Sequence, residues 1–223
     1  MKLTVINGSP RGKNSNSKII LSWFIRGFIK NKENSFELFY LKNIDDRKTQ
    51  QEIYWNADHL IIALPLYTDS MPAQVKAFFE HLEPFRGKKT NLKIGFLVQS
   101  GFPESCQSKY LEKYLEKLVR RMECIYLGTI IKGNVEGIQV KPLWMIKGFL
   151  KKIERIGQVF GERGVFDPVL INQLARPYQL NGLTLIFFKL IKRFGWMDMY
   201  WNKMLKKNHA FNRRNEKPYL SKG

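Results

Sequence analysis

The chain has 223 residues, of which 44% are hydrophobic, which is enough for one domain with a proper core and an additional segment. Its formal net charge is +19 at pH 7, which disfavours an electron carrier with an acidic surface. The two cysteines, Cys106 and Cys124, exclude a disulfide scaffold and a four-thiolate iron–sulfur cluster, and they indicate a reducing compartment.

The first predicted element is an apolar strand that runs directly into a loop rich in glycine, hydroxyl and amide groups. The strand covers Lys2 to Asn7, and Gly8 allows the chain to turn tightly after it. Arg11 adds a fixed positive charge. Ser15, Asn16 and Ser17 can cap the following helix while free backbone N–H groups point at an anion. We therefore predict that this loop binds a single phosphate group.

The spacing within this loop excludes two better-known phosphate-binding loops. Three residues separate Gly8 from the pair Gly12-Lys13, where the nucleoside triphosphate loop has four. Asn14 stands where that loop has a magnesium-binding Ser or Thr. The G-x-G-x-x-G fingerprint of dinucleotide-binding domains is also missing.

The first 165 residues alternate between predicted strands and helices with short connections, which is typical of a parallel sheet. Strands are predicted over Lys2 to Asn7, Phe36 to Leu41, His59 to Leu64, Leu92 to Gln99 and Cys124 to Ile131. Helices are predicted over Ser17 to Lys30, Pro72 to Leu82, Ser105 to Met122 and Pro142 to Gly161, and Lys42 to Glu52 is predicted as a loop leading into a short helix.

Two more predicted strands end in loops suited to ligand contact, at Pro65 and at Gln99. Ligands of open α/β sheets bind beyond the carboxyl ends of the strands, so three loops converge on one crevice. In chain order, these loops carry G-S-P-R with S-N-S, then P-L-Y-T-D-S-M-P-A-Q-V-K-A-F, then S-G-F-P-E.

These three motifs together resemble the NAD(P)H-dependent FMN reductases of the flavodoxin-like superfamily, over about residues 1 to 131. The resemblance implies an α/β three-layer sandwich whose five parallel strands have the order 2-1-3-4-5. It implies an enzyme that uses FMN as cofactor and NADPH or NADH as co-substrate. Electrons would pass through the flavin to a small acceptor such as a quinone, a nitro or azo compound, or free flavin. A homodimer in the cytoplasm is also implied.

The same resemblance assigns residues to the two parts of the flavin mononucleotide. The residues expected at the phosphate are Ser9, Arg11, Ser15, Asn16 and Ser17. Those expected at the isoalloxazine ring are Pro65, Leu66, Tyr67, Thr68, Asp69, Ser100, Gly101 and Phe102. Tyr67 is interpreted as an aromatic contact for the ring. Asp69 departs from the small residue of many relatives. The chemistry takes place on the flavin, so no protein residue is predicted to be catalytic.

Other candidate residues favour structural roles. The three histidines, His59, His81 and His209, lack the spacing of metal ligands, so no metal site is predicted. Cys106 follows the third loop and is interpreted as an ordinary helix residue, with a reactive thiol as the alternative. Two other functions stay open: a flavodoxin-type electron carrier, whose surface is usually acidic, and a non-enzymatic binding protein.

The C-terminal segment, residues 166–223, is predicted to be a basic, aromatic-rich helical extension of a flavodoxin-like domain formed by residues 1–165. Residues 176–223 hold 11 Lys and Arg against 2 Asp and Glu. We expect the segment to pack on the domain or on a partner subunit. The alternative is peripheral contact with an anionic membrane, and nucleic acid is less favoured. Its longest charge-free stretch, Pro177 to Phe188, is too short to span a bilayer. We expect no signal peptide.

Overall fold

The computed structural model describes residues 1–182, 185–186, 190 and 198–217. The chain divides into two compact units, Met1–Gln179 and Leu180–Gly223.

The first unit is built on a five-stranded parallel sheet with the strand order β2-β1-β3-β4-β5, which confirms the predicted topology. Each strand lies within about one residue of its predicted position. The strands are β1 Lys2–Asn7, β2 Ser35–Tyr40, β3 His59–Pro65, β4 Lys93–Gln99 and β5 Ile125–Lys132.

Helices connect the strands and cover both faces of the sheet. They are α1 Asn16–Phe28, α2 Arg47–Trp55, α3 Ala73–His81, α4 Lys109–Arg121, α5 Leu143–Arg163 and α6 Pro168–Leu174. Helix α4 begins later than predicted because residues 106–108 form a turn of 3₁₀ helix. The short helix α6 lies at the start of the predicted helical extension but was not predicted as a separate helix. The Asp167 carboxylate caps it by accepting hydrogen bonds from the first free N–H groups.

Two apolar clusters lie on opposite faces of the sheet and make the unit a three-layer sandwich. One joins the sheet to α2, α3 and α4 through side chains such as Tyr54, Phe78 and Leu115. The other joins it to α1 and α5 through side chains such as Phe24 and Phe160. Because helices cover both faces of the sheet, nearly every residue of the central strands is buried, and their sequences are almost continuously apolar.

Helices α1 and α5 touch through their backbones. A Cβ atom added at Gly157 would lie 2.0 Å from the carbonyl oxygen of Phe24, and one added at Gly27 would lie 1.8 Å from that of Glu154. Glycine is therefore needed at both positions.

In the second unit, α7 covers Asp198–Lys207 and is followed by a 3₁₀ turn at Phe211–Arg213. The charged ends of Lys206 and Arg214 lie 4.9 and 4.2 Å from the Phe211 ring centroid. Four apolar residues expected to pack this segment, Phe188, Ile191, Phe194 and Trp196, lie outside the described residues, so the packing of the segment stays a prediction. None of the helices in the described part of the chain has the length and apolarity that a membrane span requires.

Candidate functional site

The carboxyl ends of the strands bring the three predicted loops side by side. The backbone N–H of Leu66, just after β3, donates to the carbonyl of Gln99 at 2.8 Å. The N–H of Ser100, just after β4, donates to the carbonyl of Lys132 at 3.0 Å. Strand pairing thus continues into the loops, so each loop starts at a defined position relative to its neighbour.

Asn7, the last residue of β1, organises the first loop. Its fully buried amide nitrogen donates to the Gly12 carbonyl and to the Ser15 hydroxyl, both at 3.1 Å, while its oxygen accepts from the N–H of Ser9. Gly8 follows, and a Cβ atom there would lie 2.4 Å from a methyl group of Val75 in α3. The buried amide of Asn7 therefore holds the two ends of the first loop together, and the loop packs closely against α3 at Gly8.

Ser15 and Ser17 at the start of α1 are both buried but differ in their bonding. The Ser15 oxygen accepts from the N–H of Lys18, which is a helix N-cap, and its hydroxyl donates to the Gly12 carbonyl at 2.7 Å. The Ser17 hydroxyl is fully buried with no hydrogen-bond partner among the described residues. A buried polar atom without a partner costs free energy, so a ligand oxygen at this position would be stabilising.

The second loop contains a tight turn with two strained residues. Tyr67 and Ser70 exchange backbone hydrogen bonds of 2.9 and 3.0 Å. Between them, Thr68 and Asp69 have φ angles of +47° and +61°. Positive φ at both central residues is the type I′ pattern, which glycine and asparagine adopt most easily. This explains the departure at Asp69: aspartate tolerates the left-handed region better than most side chains.

The third loop is held by the segment after β5, residues 133–141, which the sequence did not mark as part of the site. The N–H of Val135 donates to the Ser100 carbonyl at 3.0 Å, and the N–H of Gly133 donates to the Ser105 hydroxyl at 2.9 Å. The Ser100 hydroxyl itself is buried with no partner in the described structure. It is therefore a second polar group available to a ligand.

Segment 133–141 also reaches the first loop. The Asn16 amide nitrogen donates to the Val135 carbonyl at 3.2 Å, and its oxygen accepts from the Gln139 amide at 3.0 Å. Gln139 also donates to the Asn14 carbonyl. The side chain of Asn16, predicted to contact a ligand, thus joins two parts of the protein.

A cavity of about 50 Å³ lies where the loops meet. It is lined by Ser9, Arg11, Asn16, Pro65, Leu66, Tyr67, Gln99, Ser100, Gly101 and Glu136. The other expected site residues lie around it: Ser15 and Ser17 are buried at the helix start, whereas Thr68, Asp69 and Phe102 are exposed. Tyr67 and Phe102 leave 44% and 46% of their surfaces open to solvent.

Three residues of the site were missed by sequence reasoning. Asn7 and Gln99 each end a buried strand with an amide, a signal that could have been used. Glu136 gave no local signal; it faces Gly101, where a Cβ atom would lie 3.4 Å from its side chain.

Cys106 lies near the third loop but is not activated. Burial raises the pKa of its thiol, and its hydrogen bond with Glu104 raises the pKa further. The thiol therefore stays protonated at neutral pH, which favours the structural interpretation.

The start of α1 is chemically suited to a phosphate group. The backbone N–H groups of Asn16 and Ser17 have no acceptor among the described residues, and the positive end of the helix dipole lies there. Arg11 lines the same cavity and supplies a full positive charge. N–H groups, one free hydroxyl and one guanidinium are the usual components of a phosphate site.

Solved structures share this fold at low sequence identity. An NAD(P)H:quinone oxidoreductase from Methanothermobacter marburgensis matches with a TM-score of 0.59 and 16% identity, over 71% of this chain and 94% of that chain. An azoreductase from Bacillus anthracis matches with a TM-score of 0.57 and 13% identity, over 72% and 100%. An FMN-dependent NADH-azoreductase from the same species, solved in complex with FMN, matches with a TM-score of 0.54 and 13% identity, over 72% and 100%.

The comparison with curated proteins gives no match. A family model, in contrast, matches residues 1–129, more than half of the chain and the part that contains the first three loops. The chain therefore belongs to the NADPH-dependent FMN reductase family.

Proposed function

We propose that this protein oxidises NADPH or NADH and passes the electrons through bound FMN to a small acceptor, namely a quinone, a nitro or azo compound, or free flavin. The family establishes the cofactor and the type of enzyme. The acceptor and the residues that hold the flavin are our inference.

The buried hydroxyl of Ser17 is the observation that carries the assignment of the phosphate site. It has no partner among the described residues, and it lies two residues after the Ser15 cap at the positive end of α1. In the proposal, Ser17, Ser9 and Arg11 contact the FMN phosphate directly, together with the free N–H groups of the first helical turn. Ser15 and Asn16 contribute by shaping the loop, since their side chains are bonded to protein groups.

The isoalloxazine ring would lie across the second and third loops. Pro65 and Leu66 line the cavity on one side, and Ser100 and Gly101 line it on the other. Tyr67 projects from the strained turn and offers an aromatic contact to the ring, while Phe102 and the residues Thr68 and Asp69 form its rim.

FMN, when bound, supplies the redox chemistry, taking a hydride from the nicotinamide and delivering electrons to the acceptor. The side chains of the site bind and orient it. The half-exposed rim at Tyr67 and Phe102 leaves one side accessible to small substrates, which supports a small-molecule acceptor rather than a protein partner. No protein residue needs to act as an acid or base.

We also propose that the protein is a homodimer and that residues 166–223 pack on the flavodoxin-like domain or on the partner subunit. The apolar content of this segment supports packing, because free exposure of so many apolar side chains is unfavourable in a soluble protein.

The experiment begins with the absorbance spectrum of the purified protein. Heat release followed by chromatography should yield FMN, one per subunit. Anaerobic addition of NADPH and of NADH should then bleach the flavin band, and re-oxidation should be followed with a quinone, a nitroaromatic compound, an azo dye and free riboflavin.

Three results would contradict the proposal. If FAD were released, or if the protein held no flavin even after reconstitution, the assignment of FMN as cofactor would be wrong. Slow bleaching by both nicotinamides, with rapid reduction by a separate reductase, would indicate a flavodoxin-type carrier. Fast bleaching without turnover of any of these acceptors would exclude the proposed acceptor class.

A further inference from the structure

A second cavity lies beside the flavin site, between the end of β5 and the helices α5 and α6. Its volume is about 570 Å³, which is in the range of small-molecule sites. It is lined by Lys132, Gly148, Phe149, Lys152, Gln173, Leu174 and Arg176.

The charged residues of this cavity are all positive. Lys132 ends β5, Lys152 lies on α5 and Arg176 follows α6, so three separate elements each contribute one cation. None of the three forms an ion pair with a carboxylate within the described ranges of the chain. Like charges brought together without a counter-charge repel each other, and a bound anion relieves this repulsion.

Lys132 is half-buried, whereas Lys152 and Arg176 are exposed. The Lys132 ammonium group donates to the carbonyl of Arg176 at 2.7 Å, which holds it at the cavity wall. Burial lowers the pKa of Lys132, and the charge of Lys152 lowers it further. A structural lysine in such a place would be expected to have a carboxylate partner.

The cavity is adjacent to the proposed flavin site. Lys132 is the register partner of Gln99, and its carbonyl accepts the hydrogen bond from Ser100. Both Gln99 and Ser100 line the flavin cavity. A third cavity, of about 280 Å³, shares Lys132 and Phe149 with the basic one and adds Lys141 to its lining. The basic surface thus extends along the carboxyl edge of the sheet from Arg176 to Lys141.

We propose that this basic cavity binds the oxyanion group of a substrate whose redox-active ring reaches the flavin, with Lys132, Lys152 and Arg176 as the recognising residues. This inference rests on the proposed function, because the cavity gains its role from the neighbouring flavin. Arginine and lysine bind phosphate, sulfonate and carboxylate groups through charge-assisted hydrogen bonds. Phe149 supplies an apolar wall for the body of the ligand. Two substrates carry such a group: NADPH, through its ribose 2′-phosphate and pyrophosphate, and an acceptor with an acidic substituent.

The test uses the full-length, FMN-loaded protein and the variants Lys152→Ala and Arg176→Ala. Lys147→Ala is the matched control, since Lys147 is exposed on the same helix and does not line the cavity. Binding of pyrophosphate, measured by calorimetry at low salt, should weaken by about tenfold in each cavity variant and stay unchanged in the control. This readout does not depend on turnover.

Steady-state kinetics then identify the source of the anion. If a nicotinamide is the ligand, the cavity variants should raise its KM by about tenfold. The increase should be confined to NADPH if the 2′-phosphate is the group bound, and should affect NADPH and NADH alike if it is the pyrophosphate that both share. If an acidic acceptor is the ligand, the KM of a sulfonated quinone should rise while that of its neutral analogue does not.

The proposal is wrong if wild-type protein binds pyrophosphate no better than the Lys152→Ala and Arg176→Ala variants do. It is also wrong if pyrophosphate binding is lost but none of these KM values changes. If the cavity variants weakened the binding of duplex DNA but not of pyrophosphate, the cavity would be a nucleic-acid surface and the proposal would be wrong. Failure of the proposed function would be seen separately, as absence of flavin or of turnover in the wild-type protein.

Discussion

Ser15 and Ser17 lie two residues apart at the start of α1, yet the Ser15 hydroxyl is bonded to three protein groups and the Ser17 hydroxyl to none in the described structure. Both side chains are buried. Ser15 bonds to Asn7, Gly12 and Lys18, which all belong to the first loop and the start of α1. One serine builds the loop, and the other is available to the ligand.

This difference predicts opposite effects for the same substitution. Ser17→Ala should leave the stability of the apoprotein unchanged or slightly higher, because it removes a buried group without a partner. It should weaken FMN binding by about tenfold, as expected for a lost hydrogen bond to a charged acceptor. The measurements are denaturant unfolding of the apoprotein and flavin fluorescence titration.

Ser15→Ala is the matched control. Loss of the helix cap should lower the free energy of unfolding by about 1 kcal/mol. A larger loss of apoprotein stability for Ser17→Ala than for Ser15→Ala would place the Ser17 hydroxyl in the protein core rather than at the phosphate.

Arg11→Ala should discriminate between flavins that differ only in the phosphate. A charge-assisted contact contributes about 1.5 to 3 kcal/mol, so FMN should bind at least about tenfold more weakly while riboflavin binding stays the same. Titrating both flavins into the apoprotein measures this. Lys13→Ala, an exposed residue of the same loop that does not line the cavity, should have a small effect on both. If Arg11→Ala weakened the binding of FMN and of riboflavin equally, Arg11 would not contact the phosphate.

The turn at Thr68 and Asp69 stores backbone strain. Thr68 is β-branched and has a φ of +47°, a conformation that asparagine adopts with less cost. Thr68→Asn should therefore raise the free energy of unfolding of the apoprotein by about 1 kcal/mol. Chemical denaturation measures the change, and Ser70→Asn, next to the strained pair, should give no increase. A loss of stability in Thr68→Asn would show that the threonine side chain makes a compensating contact.

Two glycines of α5 should respond in opposite ways to alanine. Gly157 packs against the Phe24 carbonyl, which a Cβ atom would approach to 2.0 Å, so Gly157→Ala should destabilise the fold by about 1 to 3 kcal/mol. At Gly148 a Cβ atom would have no neighbour within 4 Å. Gly148→Ala should therefore stabilise by up to about 1 kcal/mol through helix propensity. Thermal and denaturant unfolding test both. Equal effects would mean that α1 and α5 are not in backbone contact.

The sequence by itself was sufficient to predict those strands, helices and loops that a short stretch of consecutive residues specifies. An apolar run of six to eight residues, followed by a turn, identified each strand, and the helix stripe with Leu111 and Leu115 identified α4. The three loop motifs were sufficient for the family and for the strand order. The bounds of α6, at the start of the predicted helical extension, were not predicted because its seven residues are too few for a helical period to be visible.

Only the tertiary structure decided how the site is assembled, since its decisive contacts join residues far apart in the chain. Val135 and Gln139 hold Asn16 across more than 100 residues, and no local pattern marks segment 133–141 as a wall of the site. The bond from Asn7 to Ser15 depends on where the end of β1 lies relative to the start of α1. The basic cavity exists because β5, α5 and α6 each bring one cation to the same place. Hydrogen bonds and charge clusters of this kind follow from packing, which a one-dimensional pattern does not contain.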